Sequence, residues 1–97
     1  MEKIINEDCL KSSTHIKNES VDLFFVDPPY FTTNIDWDNQ WSTNEEYYNW
    51  CRLWISNMYN QLKKDGSAYI CCQWLHSGMY QSMLEDAGFN ILNRITW

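Results

Sequence analysis

Apolar residues cluster in this chain in two rhythms. Val21-Asp22-Leu23-Phe24-Phe25-Val26 is a short run rich in β-forming residues, which reads as a buried strand over residues 21–26. Residues 68–73 repeat that pattern, residues 3–6 form a shorter version, and residues 89–97 alternate through Ile91, Asn93, Ile95 and Trp97. Between these runs the period changes to that of a helix. Tyr47, Cys51, Trp54, Ile55, Met58 and Leu62 fall on one helical face. Ser42-Thr43-Asn44-Glu45 has capping-box form, and Thr43 with Glu46 offers the same geometry one residue later. Lys63 and Lys64 suit the carboxyl end of that helix, and Asp65-Gly66 stops it. Leu75, Met79, Met83 and Ala87 mark a further helix ended by Gly88, and Asp8 is placed to cap a short one reaching about His15. Residues 17–20 are a turn, and residues 31–41 a long polar loop carrying tryptophans. Strand–helix alternation of this kind predicts an α/β fold, a mostly parallel sheet with helix crossovers.

The strand at residues 21–26 runs into Asp27-Pro28-Pro29-Tyr30. Two consecutive prolines cannot donate to a sheet ladder and hold the backbone extended, so the strand ends at once. This leaves a carboxylate, two fixed carbonyls and an aromatic ring at the carboxyl end of a strand, where open α/β sheets bind ligands. Taken alone, the tetrad also reads as a strand-terminating turn with a surface tyrosine. It resembles the signature of the DNA methyltransferases that modify exocyclic amino groups, adenine N6 or cytosine N4. The resemblance covers nearly the whole chain. Ile5-Asn6-Glu7-Asp8-Cys9-Leu10 followed by Asn18-Glu19-Ser20-Val21-Asp22-Leu23 is similar to the approach to this signature where the catalytic motif comes first. Residues 41–54 with Leu62-Lys63-Lys64-Asp65-Gly66-Ser67 resemble the next helix and turn, and residues 87–93 with Ile95 and Trp97 a later strand.

The resemblance implies a partial Rossmann-like methyltransferase fold and a set of roles. Asp27 and Pro28 would accept hydrogen bonds from the two N–H groups of the target amino group, with Pro29 keeping them rigid. Tyr30 and Phe31 would stack on a base swung out of the duplex. Asp8 matches the family's aspartate that bonds the adenine part of S-adenosyl-L-methionine, and on sequence alone it is equally a helix cap. Tetrads that begin with Asp favour adenine N6, since the family's cytosine-N4 members more often begin with Ser. Two parts of the family pattern are missing. Gly66, Gly78 and Gly88 form no Phe-x-Gly-x-Gly cofactor loop, and no separate target-recognition segment is present. Residues 1–97 are thus expected to be the amino-terminal catalytic part of a DNA methylase domain, inactive alone. A second chain or a downstream region would supply the cofactor loop, and a missing recognition segment would meet double-stranded DNA. In the family the strand at residues 3–6 lies apart from the catalytic strand, and that at 89–97 apart from 68–73. Adjacency rules would instead place residues 3–6 beside 21–26. On the family order only strands 21–26 and 68–73 are neighbours, and the isolated chain is expected to be marginally stable and to associate.

Charge changes the picture of the partner. The formal net charge is −6, and between Asp27 and Leu62 Arg52 alone opposes Asp27, Asp36, Asp38, Glu45 and Glu46. Nucleic-acid binders carry a basic face that releases counterions from phosphates, so the grip on DNA lies mostly elsewhere. Cys9, Cys51, Cys71 and Cys72 have no CxxC or zinc spacing, which reads as reduced thiols in a cytoplasmic protein without a metal site. No apolar run approaches membrane-spanning length. Helical spacing assigns Tyr47, Tyr48, Trp50 and Trp54 to the core, while Trp37 and Trp41 either lid the base or pin the loop. Gln73-Trp74 is a candidate liner of the target pocket. His15 and His76 lack partners at useful spacing and read as surface or capping residues. A non-catalytic or decayed α/β binding module is the alternative from another class, and an RNA or protein N-methyltransferase a third.

Overall fold

The computed structural model describes residues 2–33 and 35–96. Asp8 caps the first helix, α1 (Cys9–Ser12), by accepting from the Leu10 backbone N–H at 2.9 Å, and a single 3₁₀ turn (Ser13–His15) extends it. Strand β1 (Val21–Val26) follows, then a 3₁₀ turn (Asp36–Asp38), helix α2 (Asn44–Gln61), strand β2 (Leu62–Ile70) and helix α3 (Trp74–Ala87). The strands β1 and β2 pair in parallel, joined through α2 as a β–α–β unit. This is the α/β architecture expected from the alternating periods.

The capping box forms at the later of its two registers. The Thr43 hydroxyl accepts from Glu46 N, while the Glu46 carboxylate accepts from Ser42 N at 2.8 Å, so two otherwise unpaired amides at the helix start are satisfied. Tyr47, Cys51, Trp54, Ile55 and Met58 are buried along α2 as their spacing predicts. The helix ends earlier than Lys63 and Lys64 suggested. Gln61 is its last residue, and it turns inward to donate from Nε2 to the Ser13 carbonyl at 2.8 Å. Leu62 already pairs with Val21, and the register then slips before Leu23 meets Ser67. Asp65-Gly66 therefore lies in a bulge of β2 rather than at a helix end, and the Lys63–Asp22 ion pair at 2.8 Å spans it. The regular ladder runs from Leu23–Ser67 to Val26–Ile70, and Cys71 N adds one more bond to the Val26 carbonyl at 2.8 Å. Strand β2 thus begins before residue 68 and closes before residue 73.

Helix α3 buries a stripe that only partly follows its apolar residues. His76, Tyr80 and Met83 face α2, while Leu75 is exposed and Met79 half-buried. Polar partners explain the rotation. The Tyr80 hydroxyl lies 2.7 Å from that of Tyr47, and His76 Nδ1 lies 3.3 Å from the Tyr48 hydroxyl. His76 is only 2% exposed, which corrects its reading as a surface or capping residue. Gly88 closes α3 at φ 117°, and a Cβ there would meet the Tyr59 ring at 2.7 Å.

Residues 3–6 and 89–96 form no strands; Trp97, the end of the second expected strand, lies outside the described residues. The reason is pairing, since an extended segment becomes a strand only against a ladder partner, and none is present among the described residues. Among them the sheet therefore holds β1 and β2 alone, the one neighbour pair of the family order. Its faces are unequal. Phe24, Val26, Ala68 and Ile70 pack on the α2–α3 core, while Leu23, Phe25 and Tyr69 stand at least half exposed on the other side. Hydrogen exchange on the chain should show protected amides in the ladder from Phe24 to Val26 and along α2, with Ile4 and Ile95 exchanging freely. Strong protection of Ile4 and Ile95 in a monomer would overturn this placement.

Candidate active site

Strand β1 ends one residue before Asp27, whose side chain is exposed at the carboxyl edge of the sheet. The Tyr30 hydroxyl donates to Asp27 Oδ1 at 2.6 Å. That bond, with smaller help from burial, pushes the Tyr30 phenol up to about 12, so it stays a donor across the neutral range. The Pro28 ring is buried, and the Pro29 carbonyl accepts from the Tyr47 hydroxyl at 2.6 Å. The tetrad is thereby tied to the core from behind, while the second oxygen of Asp27 has no donor among the described residues.

The loop that follows is held by a residue whose role its sequence did not reveal. Asp38 is 1% exposed, and its carboxylate accepts from the backbone amides of Tyr30, Thr32 (2.9 Å) and Thr33 (2.9 Å) and from the Thr33 hydroxyl (2.8 Å). Burial alone would raise its pKa. The hydrogen bonds from Thr33, Thr32 and the Phe31 backbone outweigh that and hold the carboxyl well below its ordinary value. These bonds enclose Phe31, which sits at φ 58° in the left-handed region, a cost of about 1–3 kcal/mol for a residue other than glycine. The only hint in the sequence was that a polar loop must satisfy its amides; nothing distinguished Asp38 from Asp36.

The strained turn sends the Phe31 ring inward, stacked on Tyr47 with centroids 5.2 Å apart and edge-on to Trp41 at 5.8 Å. Trp41 also packs on Tyr47 and Trp50, so it pins the loop, whereas Trp37 is exposed. Trp74 is exposed too, at the start of α3. Of the expected site residues, Asp27, Pro28, Pro29 and Tyr30 are together; Phe31 is engaged with the core rings. Asp8 makes its hydrogen bonds to the start of α1 and none to them among the described residues. Its neighbour Cys9 lines a groove of about 330 Å³ that runs between α1, β1 and α2 as far as Asp27, Pro28 and Pro29.

The profile of the DNA methylase family matches residues 21–97, from the first residue of β1 onward. The chain belongs to the DNA methylase family. Its relatives include the type II methyltransferase M2.DpnII of Streptococcus pneumoniae, 36% identical over 97% of this chain and 40% of that protein. The type II methyltransferases M.HinfI of Haemophilus influenzae and M1.MboII of Moraxella bovis are each 32% identical, over 97% and 98% of this chain. The chain spans 30 to 40% of the length of these relatives. Among the described residues of this DNA methylase segment no helix is long and apolar enough to cross a membrane, and all four cysteines are free thiols.

Asp38→Asn should destabilise the fold by about 3 kcal/mol, because an amide cannot accept from every donor that surrounds this carboxylate. The folded pKa of Asp38 lies below its unfolded one. Its contribution is therefore complete above about pH 5 and is lost as the pH falls through the ordinary carboxylate range and below. Urea midpoints measured across that range should fall less steeply for Asp38→Asn than for the parent. Parallel curves would show that Asp38 is not the carboxylate responsible.

Proposed function

We propose that this chain carries the catalytic half-site of an S-adenosyl-L-methionine-dependent DNA methyltransferase acting on an exocyclic amino group, adenine N6 in preference to cytosine N4. The observation that carries the reading is the exposed Asp27 carboxylate at the carboxyl end of β1, one oxygen held by Tyr30 and the other open, beside a proline-locked backbone. Membership of the DNA methylase family and the names of its type II relatives support it.

An exocyclic amino nitrogen is a poor nucleophile because its lone pair is delocalised into the ring. Two fixed acceptors, Asp27 and the Pro28 carbonyl, engage its N–H bonds, favour a tetrahedral nitrogen and return the pair to the nitrogen. Acceptors aimed in advance at developing charge lower the barrier without reorganising. The proton leaves the nitrogen with or after bond formation. Tyr30 offers the ring on which the extruded base stacks, with Phe31 supporting the turn from the core side. The start on Asp is the reason for preferring adenine.

In this reading the methyl donor is held largely by residues outside those described. The groove beside Asp27 has Phe24, Val26, Trp54 and Met58 among its walls, and of its polar liners Asn57 and Gln61 both donate to Ser13. Each glycine has another use or none: Gly66 lies in the β2 bulge, Gly78 inside α3 and Gly88 at its end. Asp8 is proposed to contribute to donor binding only with residues outside this set. DNA and a second chain or further segment are the proposed partners. A non-catalytic α/β module is the competing reading, favoured by the same self-bonded groove.

In an active enzyme containing this chain, Asp27→Ala should lower methyl transfer at least about a hundredfold, roughly 3 kcal/mol, while donor binding persists. Incorporation of labelled methyl groups into DNA at near-parental rate would refute the role of Asp27. The 97-residue chain itself should bind S-adenosyl-L-methionine very weakly and duplex DNA undetectably at physiological salt, given its charge of −6. Micromolar donor affinity by calorimetry, or a saturating anisotropy titration with DNA, would contradict that division of labour.

A further inference from the structure

A line of buried hydrogen bonds reaches the tetrad from the far side of the core. The Tyr47 hydroxyl lies 2.6 Å from the Pro29 carbonyl and 2.7 Å from the Tyr80 hydroxyl, and Tyr80 lies 3.4 Å from Cys51 Sγ. A carbonyl can only accept, so the single phenolic proton of Tyr47 is committed to Pro29. Tyr80 must then donate to Tyr47, and the Cys51 thiol to Tyr80. The order Cys51, Tyr80, Tyr47, Pro29 is thus fixed by proton count.

The consequence falls on the neighbouring carbonyl. Asp27 and Pro28 each precede a proline and are confined to extended backbone, and both proline φ angles are locked. In such a polyproline-like segment successive carbonyls are rotated by about a third of a turn from one another. With the Pro28 ring buried and the Pro29 carbonyl tethered to the core, the Pro28 carbonyl is turned to a different side of the segment from that of Pro29. We propose that Tyr47 is a positioning residue: its bond to Pro29 aims the Pro28 carbonyl away from the core, where it serves with Asp27 as the second acceptor for the amino group. The inference rests on the proposed function for its chemistry, but the orientation itself does not. It also accounts for a tyrosine at a position of zero exposure, where phenylalanine would fill the same space among Phe31, Trp41 and Trp50.

The test compares Tyr47→Phe with Tyr80→Phe. Each removes one buried hydroxyl, but the second leaves the Tyr47–Pro29 bond in place. The chain has two prolines, so carbonyl-labelled [¹³C]proline reports on Pro28 and Pro29 alone. In Tyr47→Phe the Pro29 carbonyl resonance should move upfield and that of Pro28 should shift or split; in Tyr80→Phe both should stay near the parent. Replacing Tyr47 by 4-aminophenylalanine, which keeps a donor, should restore the parental pair. In an active enzyme containing this chain, Tyr47→Phe should lower kcat by about a hundredfold with KM little changed, and Tyr80→Phe should not. An unmoved Pro28 resonance, or equal effects of the two variants, overturns the proposal. A parent without methyl transfer defeats the proposed function instead, and the carbonyl resonances still decide the role of Tyr47.

Discussion

A carboxylate taken out of water is stable only if its lone pairs are met, and in this chain the groups that meet those of Asp38 belong to the loop beside the candidate site. Tyr30, Thr32 and Thr33 all point amides at it, and Thr33 adds its hydroxyl. Burial and hydrogen bonding act in opposite directions on this group, and the lowered pKa says that the hydrogen bonds prevail. The loop is therefore wound about one buried charge. That is why it can hold Phe31 in a left-handed conformation that an ordinary loop would relax.

Helix α2 transmits this order to the rest of the molecule. Tyr47, at its first turn, touches nearly everything that matters here. Its ring receives Phe31, Trp41 and Trp50, its hydroxyl holds Pro29, and it meets Tyr80 of α3. The site and the hydrophobic core are therefore one packed unit rather than a loop laid upon a scaffold. Asp27 and Tyr30 gain rigidity from this, which the proposed pair of fixed acceptors would require.

Among the described residues the sheet is covered on one side only. Its inner face closes on α2 and α3, whereas Leu23, Phe25 and Tyr69 remain open to solvent. The chain corresponds to 30 to 40% of the length of its type II relatives. Its net charge of −6 offers little of the positive charge that phosphate contacts need.

Local pattern by itself determined the parts of the fold whose causes are local. The burial of Tyr47, Cys51, Trp54, Ile55 and Met58 followed from helical spacing, the caps at Asp8, Thr43 and Gly88 from hydrogen-bond and steric rules, and the end of β1 from two prolines that cannot pair. The tetrad was legible for the same reason, and so was the family. Tertiary structure decided what depends on a distant partner. Residues 3–6 and 89–96 have strand-like sequences but no ladder to join, and Leu62 left its helix because Val21 offered one. His76 turned inward because Tyr48 could meet its ring, while Asp38 became the centre of its loop because the loop folded its amides around one carboxylate rather than another. Helical period and capping act over a few residues, so they are written in order along the chain. Ladder pairing and the neutralisation of a buried charge act across space, between residues whose proximity exists only once the chain has folded.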